Sequence, residues 1–115
     1  MTYKIVALPE VRLYLSELIQ ILYKEEYFSF EDSAIEYVTD LIADIEKNLP
    51  LRVRKPAPDF FRKYGDNLFY SSFRKNRQTT WYVFFTIHYD EVMDKQTYLI
   101  RFISNNHVVA KYLLS

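Results

Sequence analysis

The stretch that decides the fold is residues 68–104, LFYSSFRKNRQTTWYVFFTIHYDEVMDKQTYLIRFIS. It holds three runs rich in aromatic and β-branched residues, at 68–75, 79–89 and 97–104, and short polar segments separate them. Runs of this kind, bounded by turn residues, are typical of β-strands joined as hairpins. In the middle run both alternating sets of side chains are largely apolar, which predicts a central strand covered on both faces. The stretch therefore predicts a three-stranded antiparallel meander.

The residues before this stretch predict one strand and two helices. Residues 3–8, YKIVAL, form a short apolar run that ends at Pro9, and proline suits the first turn of a helix. Apolar residues then recur at helical spacing in two segments joined by a short link, which predicts an antiparallel helical hairpin. Ser29 and Asp32 have the spacing of a capping box at the start of the second helix. Residues 50–67 carry three of the four prolines and predict a basic loop.

The chain closes with a segment that predicts either a helix or a strand. Asn105 and Asn106 can take positive φ in place of glycine, and residues 107–114, HVVAKYLL, follow them. With 115 residues there is room for one ordinary core, so we expect a single domain over residues 1–115. The expected fold class is α+β, with an N-terminal strand, an antiparallel helical hairpin and then the three-stranded antiparallel meander in one sheet.

Composition excludes several classes of function. The chain has no cysteine, which excludes disulfides, thiolate nucleophiles and cysteine-based metal sites. It has a single glycine, whereas the glycine-rich loops that cradle phosphates need several glycines close together. No apolar run approaches the roughly 20 residues of a membrane span, and the N-terminus lacks a signal-peptide pattern. We therefore expect a cytoplasmic protein with no membrane partner and no cofactor.

The zero net charge hides a segregation along the chain. Residues 1–49 hold four basic and ten acidic side chains, whereas residues 50–115 hold eleven basic and five acidic ones. A basic surface favours polyanions through counterion release at phosphates and through long-range steering, and it favours an acidic protein partner equally. The alternative is that the split reflects only solvated acidic helix faces and basic loops.

The order of these elements, at this length, resembles the RelE/ParE superfamily of small bacterial toxins from type II toxin–antitoxin modules. The similarity begins with residues 3–11, YKIVALPEV, which lead into the helical hairpin. Residues 68–87, LFYSSFRKNRQTTWYVFFTI, look like the family's strand–turn–strand segment. Residues 98–113, YLIRFISNNHVVAKYL, look like its last strand with the tail that follows.

The resemblance implies one of two activities. RelE-like members cleave mRNA on the ribosome without a metal, by driving the 2′-hydroxyl onto the adjacent phosphate, whereas ParE-like members poison DNA gyrase. Both types are held inactive by an antitoxin protein, so we expect a cognate antitoxin as a partner. The leading hypothesis is a ribosome-dependent, metal-independent mRNA endoribonuclease. The alternatives are a gyrase-binding toxin without enzymatic activity and a protein-interaction module that has kept the scaffold without toxicity.

Metal-free cleavage of this kind needs a base for the 2′-hydroxyl, an acid for the leaving oxygen and cations for the charge of the phosphorane. The resemblance assigns catalytic roles to Arg74, His107 and Tyr112, which match a basic strand position, the residue after the last strand and a tail tyrosine. Histidine is also the side-chain type whose unperturbed pKa lies nearest neutrality. The alternative for His107 is a surface histidine beside a turn. Six further basic residues of the strands and loops are candidates for nucleic-acid binding: Arg52, Arg54, Lys55, Lys75, Arg77 and Arg101.

One position departs from the family pattern. Family nucleases often carry an arginine inside the middle strand, whereas this chain has Trp81 and Tyr82 there, and a tyrosine cannot supply that charge. Arg77 or Arg101 could substitute from the neighbouring turn and strand. The alternative for Arg101 is an edge or core arginine with a carboxylate partner. Residues 88–94, HYDEVMD, offer metal-ligand types, but their spacing fits a charged hairpin turn better than a ligand motif, so we expect no metal.

Overall fold

The computed structural model describes residues 2–25 and 28–113 and has an α+β fold. The predicted segment at 107–114 is helical, and its last residue, Leu114, lies outside the described residues. Two short 3₁₀ helices, Leu49–Leu51 and Asp59–Tyr64, lie in the predicted basic loop. In chain order the remaining elements are β1 (Thr2–Ala7), α1 (Pro9–Lys24), α2 (Glu31–Asn48), β2 (Lys55–Pro56), β3 (Phe69–Arg74), β4 (Thr80–Asp90), β5 (Lys95–Asn105) and α3 (Asn106–Leu113).

The five strands form one mixed sheet in the order β1-β5-β4-β3-β2. The pairs β3 with β4 and β4 with β5 run antiparallel, whereas β1 runs parallel to β5. The α+β class is confirmed. The sheet is larger and more mixed than the predicted meander, because β1 closes one edge in parallel and the two-residue β2 adds to the other.

The helical hairpin of α1 and α2 covers one face of the sheet, which we call the hairpin face. Trp81 of β4 is buried there, and its Nε1 donates a hydrogen bond of 2.9 Å to the hydroxyl of Tyr37 on α2. This bond satisfies the one polar group of a buried indole and ties helix to sheet. The core on this face also includes Val11, Leu18, Val38, Leu41, Ile45, Phe73, Val83, Phe85, Tyr98, Ile100 and Ile103.

The opposite face, which we call the second face, is covered in part by the 3₁₀ helix Asp59–Tyr64 and by α3. Phe61 anchors the 3₁₀ helix and Val109 anchors α3, and both pack with Phe84 of the sheet. The middle of β4 is therefore buried on both faces, as the sequence predicts, since its residues alternate between the two cores. Among the described helices, none is long and apolar enough to cross a membrane.

The predicted capping box of the second helix is wrong. α2 begins at Glu31, and its N-cap is Phe30, which has an extended backbone and provides no side-chain cap. Ser29 therefore lies one residue outside the position from which a hydroxyl could bond the first helical amides.

The predicted positive φ at Asn105 and Asn106 is also wrong. The non-glycine residues with positive φ in the described part of the chain are Asn67 and Asp94. The side chain of Asn105 instead caps α3, because its Oδ1 accepts the amide of His107 at 2.9 Å. Asn105 therefore ends β5 by accepting a hydrogen bond from the first turn of α3, and not by adopting a positive φ.

Candidate functional site

The turn between β3 and β4 meets the first turn of α3 at one end of the sheet. Asn106 joins the two, since its Oδ1 accepts the amide of Thr80 at 2.9 Å and its Nδ2 donates to the carbonyl of Gln78 at 3.0 Å. We call this place, residues 74–80 and 105–107, the turn–helix corner.

Arg74 and His107 both lie at the turn–helix corner and are exposed. The Nε of Arg74 donates to the carbonyl of Asn76 at 3.1 Å, and Asn76 Oδ1 accepts the amide of Thr79 at 2.9 Å. The hydroxyl of Thr79 is in turn 3.3 Å from Nε2 of His107. Among the described residues, neither Arg74 nor His107 has a carboxylate within salt-bridge distance. The corner therefore presents a cation and an imidazole that are linked through the turn and are free to meet an anion.

Tyr112, the third predicted catalytic residue, lies elsewhere. Its ring stacks on Phe60, with centroids 3.7 Å apart and planes 4° apart, and it meets the edge of Phe61. It is five residues after His107 on α3, so the two side chains leave the helix in different directions. Within the described part of the chain, no hydrogen bond or ring contact joins Tyr112 to Arg74 or His107. The structure thus brings together two of the three predicted residues.

The predicted basic residues of the loop lie beside the outer edge of β3. The guanidinium of Arg52 sits 4.7 Å from the centre of the Phe73 ring and 3.5 Å from a carboxylate oxygen of Asp44. The guanidinium of Arg54 sits 5.2 Å from the centre of the Phe69 ring. These contacts are cation–π pairs, in which a partly hydrated charge covers an aromatic face.

The other predicted nucleic-acid-binding residues are spread over three places. Lys55 lies in β2 opposite Tyr70, and Arg77 is exposed in the β3–β4 turn. The ammonium of Lys75 lies 5.0 Å from the centre of the Tyr37 ring, on the side of the helical hairpin. These side chains do not form one continuous basic groove.

Arg101 lies on the second face of the sheet. Its Nε donates to the hydroxyl of Thr86 at 3.0 Å, and its aliphatic part lies against Gly65, where an added Cβ would be 2.9 Å from Cδ. The carboxylate partner considered for it from the sequence is absent within the described residues, because the ion pairs there join other side chains. A hydroxyl and a glycine surface hold this guanidinium in place.

Sequence reasoning missed the pairing of Thr86 with His88. The hydroxyl of Thr86 lies 2.9 Å from Nε2 of His88, so one hydroxyl bridges the imidazole and Arg101. The sequence signal for this pair was that Thr86 and His88 are polar residues two positions apart in a largely apolar strand, so both side chains lie on the same face. The sequence around His88 suggests a metal ligand at most, and in the part of the chain that the structure describes no three His, Asp or Glu side chains come together to hold a metal ion.

Two perturbed side chains lie at the far end of the sheet from the turn–helix corner. The hydroxyl of Tyr89 donates to Oδ1 of Asp94 at 2.7 Å. This hydrogen bond lowers the pKa of the Asp94 carboxyl and raises the pKa of the Tyr89 hydroxyl. The pair fastens the β4–β5 turn, and it takes no part in the corner.

Asn106→Ala tests the join at the turn–helix corner. The substitution leaves the amide of Thr80 without its acceptor, so we expect a loss of about 1–2 kcal/mol in the free energy of unfolding. Urea denaturation measures it. Gln78→Ala is the matched control, since only the main-chain carbonyl of Gln78 bonds Asn106. Equal stability of the two variants would mean that the side chain of Asn106 does not join α3 to the turn.

Comparisons with protein-family models, with curated proteins and with solved structures found no match to this chain.

Proposed function

We propose that this chain is a toxin of the RelE/ParE superfamily that cleaves mRNA on the ribosome without a metal ion. The observation that carries the proposal is the turn–helix corner, where Arg74 and His107 are exposed and have no carboxylate partner among the described residues. A cation and an imidazole linked through Asn76 and Thr79 are two of the groups that attack of a 2′-hydroxyl on its phosphate requires.

The fold supports the same proposal. The chain runs from a first strand through a helical hairpin to the strands of the meander and a closing helix, the order on which the resemblance was based. The hairpin occupies one face of the sheet, and Arg74 and His107 of the corner are exposed.

In the proposed reaction His107 accepts the proton of the 2′-hydroxyl. The 2′ oxygen forms a bond to the adjacent phosphorus, and the bond from that phosphorus to the 5′ oxygen breaks. The products are a 2′,3′-cyclic phosphate and a 5′-hydroxyl whose proton comes from solvent. Arg74 stabilises the negative charge that grows on the phosphorane, and Thr79 orients the imidazole. Because Tyr112 stacks on Phe60 away from the corner, we assign it a structural role.

His107→Ala tests the assignment in cells. Inducible expression of the wild type in a bacterial host is expected to stop growth and to create new 5′ ends in a translated message. The variant is expected to lower the yield of these ends by about 10²–10⁴-fold, the usual contribution of a general base. Primer extension on the message measures the ends, and Tyr112→Phe is expected to retain cleavage, since the ring contact with Phe60 does not involve the hydroxyl.

Val108→Ala is the matched control, because Val108 is the next residue of α3 and is 58% exposed. It should arrest growth and cleave as the wild type does. Cleavage that persists in a folded His107→Ala protein would overturn the role of His107. Arrest with an intact message would favour the gyrase alternative, and soluble protein without arrest would favour the non-toxic module.

One observation favours the second candidate, a gyrase-binding toxin that is not an enzyme. Where family nucleases often carry an arginine in the middle strand, the side chain here is Tyr82, which packs against Tyr70 with ring centroids 6.1 Å apart. Aromatic side chains on a sheet face suit a protein-binding surface as well as base stacking. In that case His107→Ala leaves toxicity unchanged.

We also propose an acidic or amphipathic antitoxin segment as the protein partner. Residues 51–54 alternate apolar and basic side chains, and Leu51 and Val53 are 77% and 81% exposed. Arg52 and Arg54 lie between them. An exposed strip of this pattern is complementary to a segment that carries apolar anchors and carboxylates.

A further inference from the structure

We propose a second site on this sheet, a surface that binds the phosphodiester backbone of single-stranded RNA. It is formed on the second face by Lys4, His88, Lys95 and Arg101, which we call the lower patch. The inference rests on the proposed function, because RNA is the substrate there, but it places a contact that the turn–helix corner does not provide. His88 is eight residues along β4 from Thr80, so about 26 Å of strand separates the two places.

Strand register places these side chains side by side. His88 of β4 is opposite Thr97 of β5, and Thr97 is opposite Lys4 of β1. Two strand spacings put the Cα atoms of His88 and Lys4 about 10 Å apart. In the next row Lys95 lies opposite Asp90. Ile5 and Ile87, the neighbours of Lys4 and His88, pack on the hairpin face, and so does Tyr98, the neighbour of Thr97, so alternation directs Lys4, Thr97 and His88 to the second face. Lys95 lies two residues from Thr97 and shares its face, and Arg101 meets Thr86 there.

Arg101 is held in a fixed position at the edge of the patch. The register between β4 and β5 shifts at Phe84 and Phe85, which makes Arg101 the extra residue of a bulge. Its Nε donates to the hydroxyl of Thr86, which also meets His88, and this bond leaves the two terminal nitrogens unused. A guanidinium fixed through Nε offers these two nitrogens as a fork to the oxygens of a phosphate.

Acidic side chains are few around the patch: Asp90 lies opposite Lys95, and Glu10 lines one cavity with Arg101. The ion pairs between described residues join Arg52 to Asp44 and Arg62 to Asp59, and none involves the lower patch. Asp90 is the one acidic residue in the five described strands, and its Oδ1 accepts the amides of the turn that follows it, at Val92 and Met93.

These features fit a backbone ligand better than a base-specific one. The three permanent cations, Lys4, Lys95 and Arg101, lie at three different levels along the sheet, the engaged carboxylate of Asp90 lies opposite Lys95, and no aromatic side chain belongs to the patch. Such a surface recognises the repeated negative charge of the phosphates. Recognition of the RNA base sequence would need contacts to the bases, which the patch does not make. The distance to the corner lets one RNA strand touch both sites, so the patch would hold the strand while the corner cleaves it.

Fluorescence anisotropy with a short fluorescein-labelled oligouridylate tests the proposal on the full chain. Lys4→Gln and Arg101→Gln are each expected to weaken binding about fivefold at 0.1 M salt, since each phosphate contact contributes a slope of about 0.7 in log K against log salt. In each variant the slope of log K against log salt should also fall by about 0.7. Because the proposed cleavage depends on the ribosome, binding of the free oligouridylate is measured without cleavage, so this test can fail while the test of His107→Ala in cells succeeds, and the reverse.

Lys47→Gln is the control, because Lys47 is an exposed cation in the last turn of α2, away from the second face. It should change neither affinity nor slope. Patch variants that bind oligouridylate like the wild type would overturn the proposal, and thermal melting shows whether each variant is folded. A labelled oligoglutamate that binds as tightly, and loses affinity in the same variants, would overturn the assignment to RNA in favour of an acidic protein.

Discussion

Phe61→Ala is expected to lower the free energy of unfolding by about 3–5 kcal/mol, the usual range for truncating a fully buried phenylalanine. Phe61 is 0% exposed, and its ring contacts Phe84 at 4.5 Å, Phe60 at 5.1 Å and Tyr112 at 6.4 Å between centroids. It is the buried anchor of a six-residue 3₁₀ helix, which has few other means of staying on the sheet. The free energy of unfolding of a small domain is only about 5–15 kcal/mol, so this loss is a large fraction of the total.

Guanidinium denaturation followed by tryptophan fluorescence measures the loss, since Trp81 is buried in the other core and reports global unfolding. The matched control is Phe60→Ala. Phe60 is the preceding residue, but it is 44% exposed and stacks only at the surface. We expect it to lose about 1 kcal/mol, the value of an aromatic pair beyond burial. Equal losses in the two variants would show that Phe61 does not anchor the second face.

Most of the secondary structure could be predicted because hydrophobic periodicity reports which side chains are buried. The three strand runs at 68–75, 79–89 and 97–104 correspond to β3, β4 and β5 within two residues at each end. The parallel pairing of β1 with β5 could not be predicted in the same way, because an apolar strand fits either edge of a sheet. The two residues of β2 are too few for any period.

The sites were less predictable for a physical reason. Arg74 and His107 were placed by the family resemblance, and the structure brings both to one turn through Asn76 and Thr79. The contacts of Arg101 depend on a bulge and on a loop from another part of the chain, and neither leaves a periodic trace in the sequence.

Gly65→Ala is expected to affect both stability and RNA binding, because the backbone and the nearby side chain both require glycine. The φ of Gly65 is 149°, a conformation that side-chain-bearing residues rarely adopt, and forcing it costs about 1–3 kcal/mol. The added Cβ would also lie 2.9 Å from Cδ of Arg101. Since Thr86 holds the far end of that side chain, Arg101 can move only by giving up its hydrogen bond.

A double-mutant cycle separates the two effects. In an Arg101→Ala background the close contact is gone, so Gly65→Ala should cost only the strain of the backbone. The difference between the two costs is then the interaction between Gly65 and Arg101, which we expect to be about 0.5–3 kcal/mol. Urea denaturation of the four proteins gives the cycle, and additivity within about 0.5 kcal/mol would mean that Arg101 does not rest on the glycine.

Asn67→Ala supplies the control for the binding readout. Asn67 also has positive φ, 56°, and lies two residues further along the same loop, so its replacement strains the backbone without adding an atom beside Arg101. We expect both variants to be destabilised, but only Gly65→Ala to weaken oligouridylate binding, by about the fivefold attributed to one phosphate contact. Loss of affinity in both would mean that the stability of the loop, and not the position of the guanidinium, sets the affinity. Loss of affinity in Gly65→Ala alone would mean that the glycine is needed for RNA binding because it lets the side chain of Arg101 lie against the backbone at residue 65.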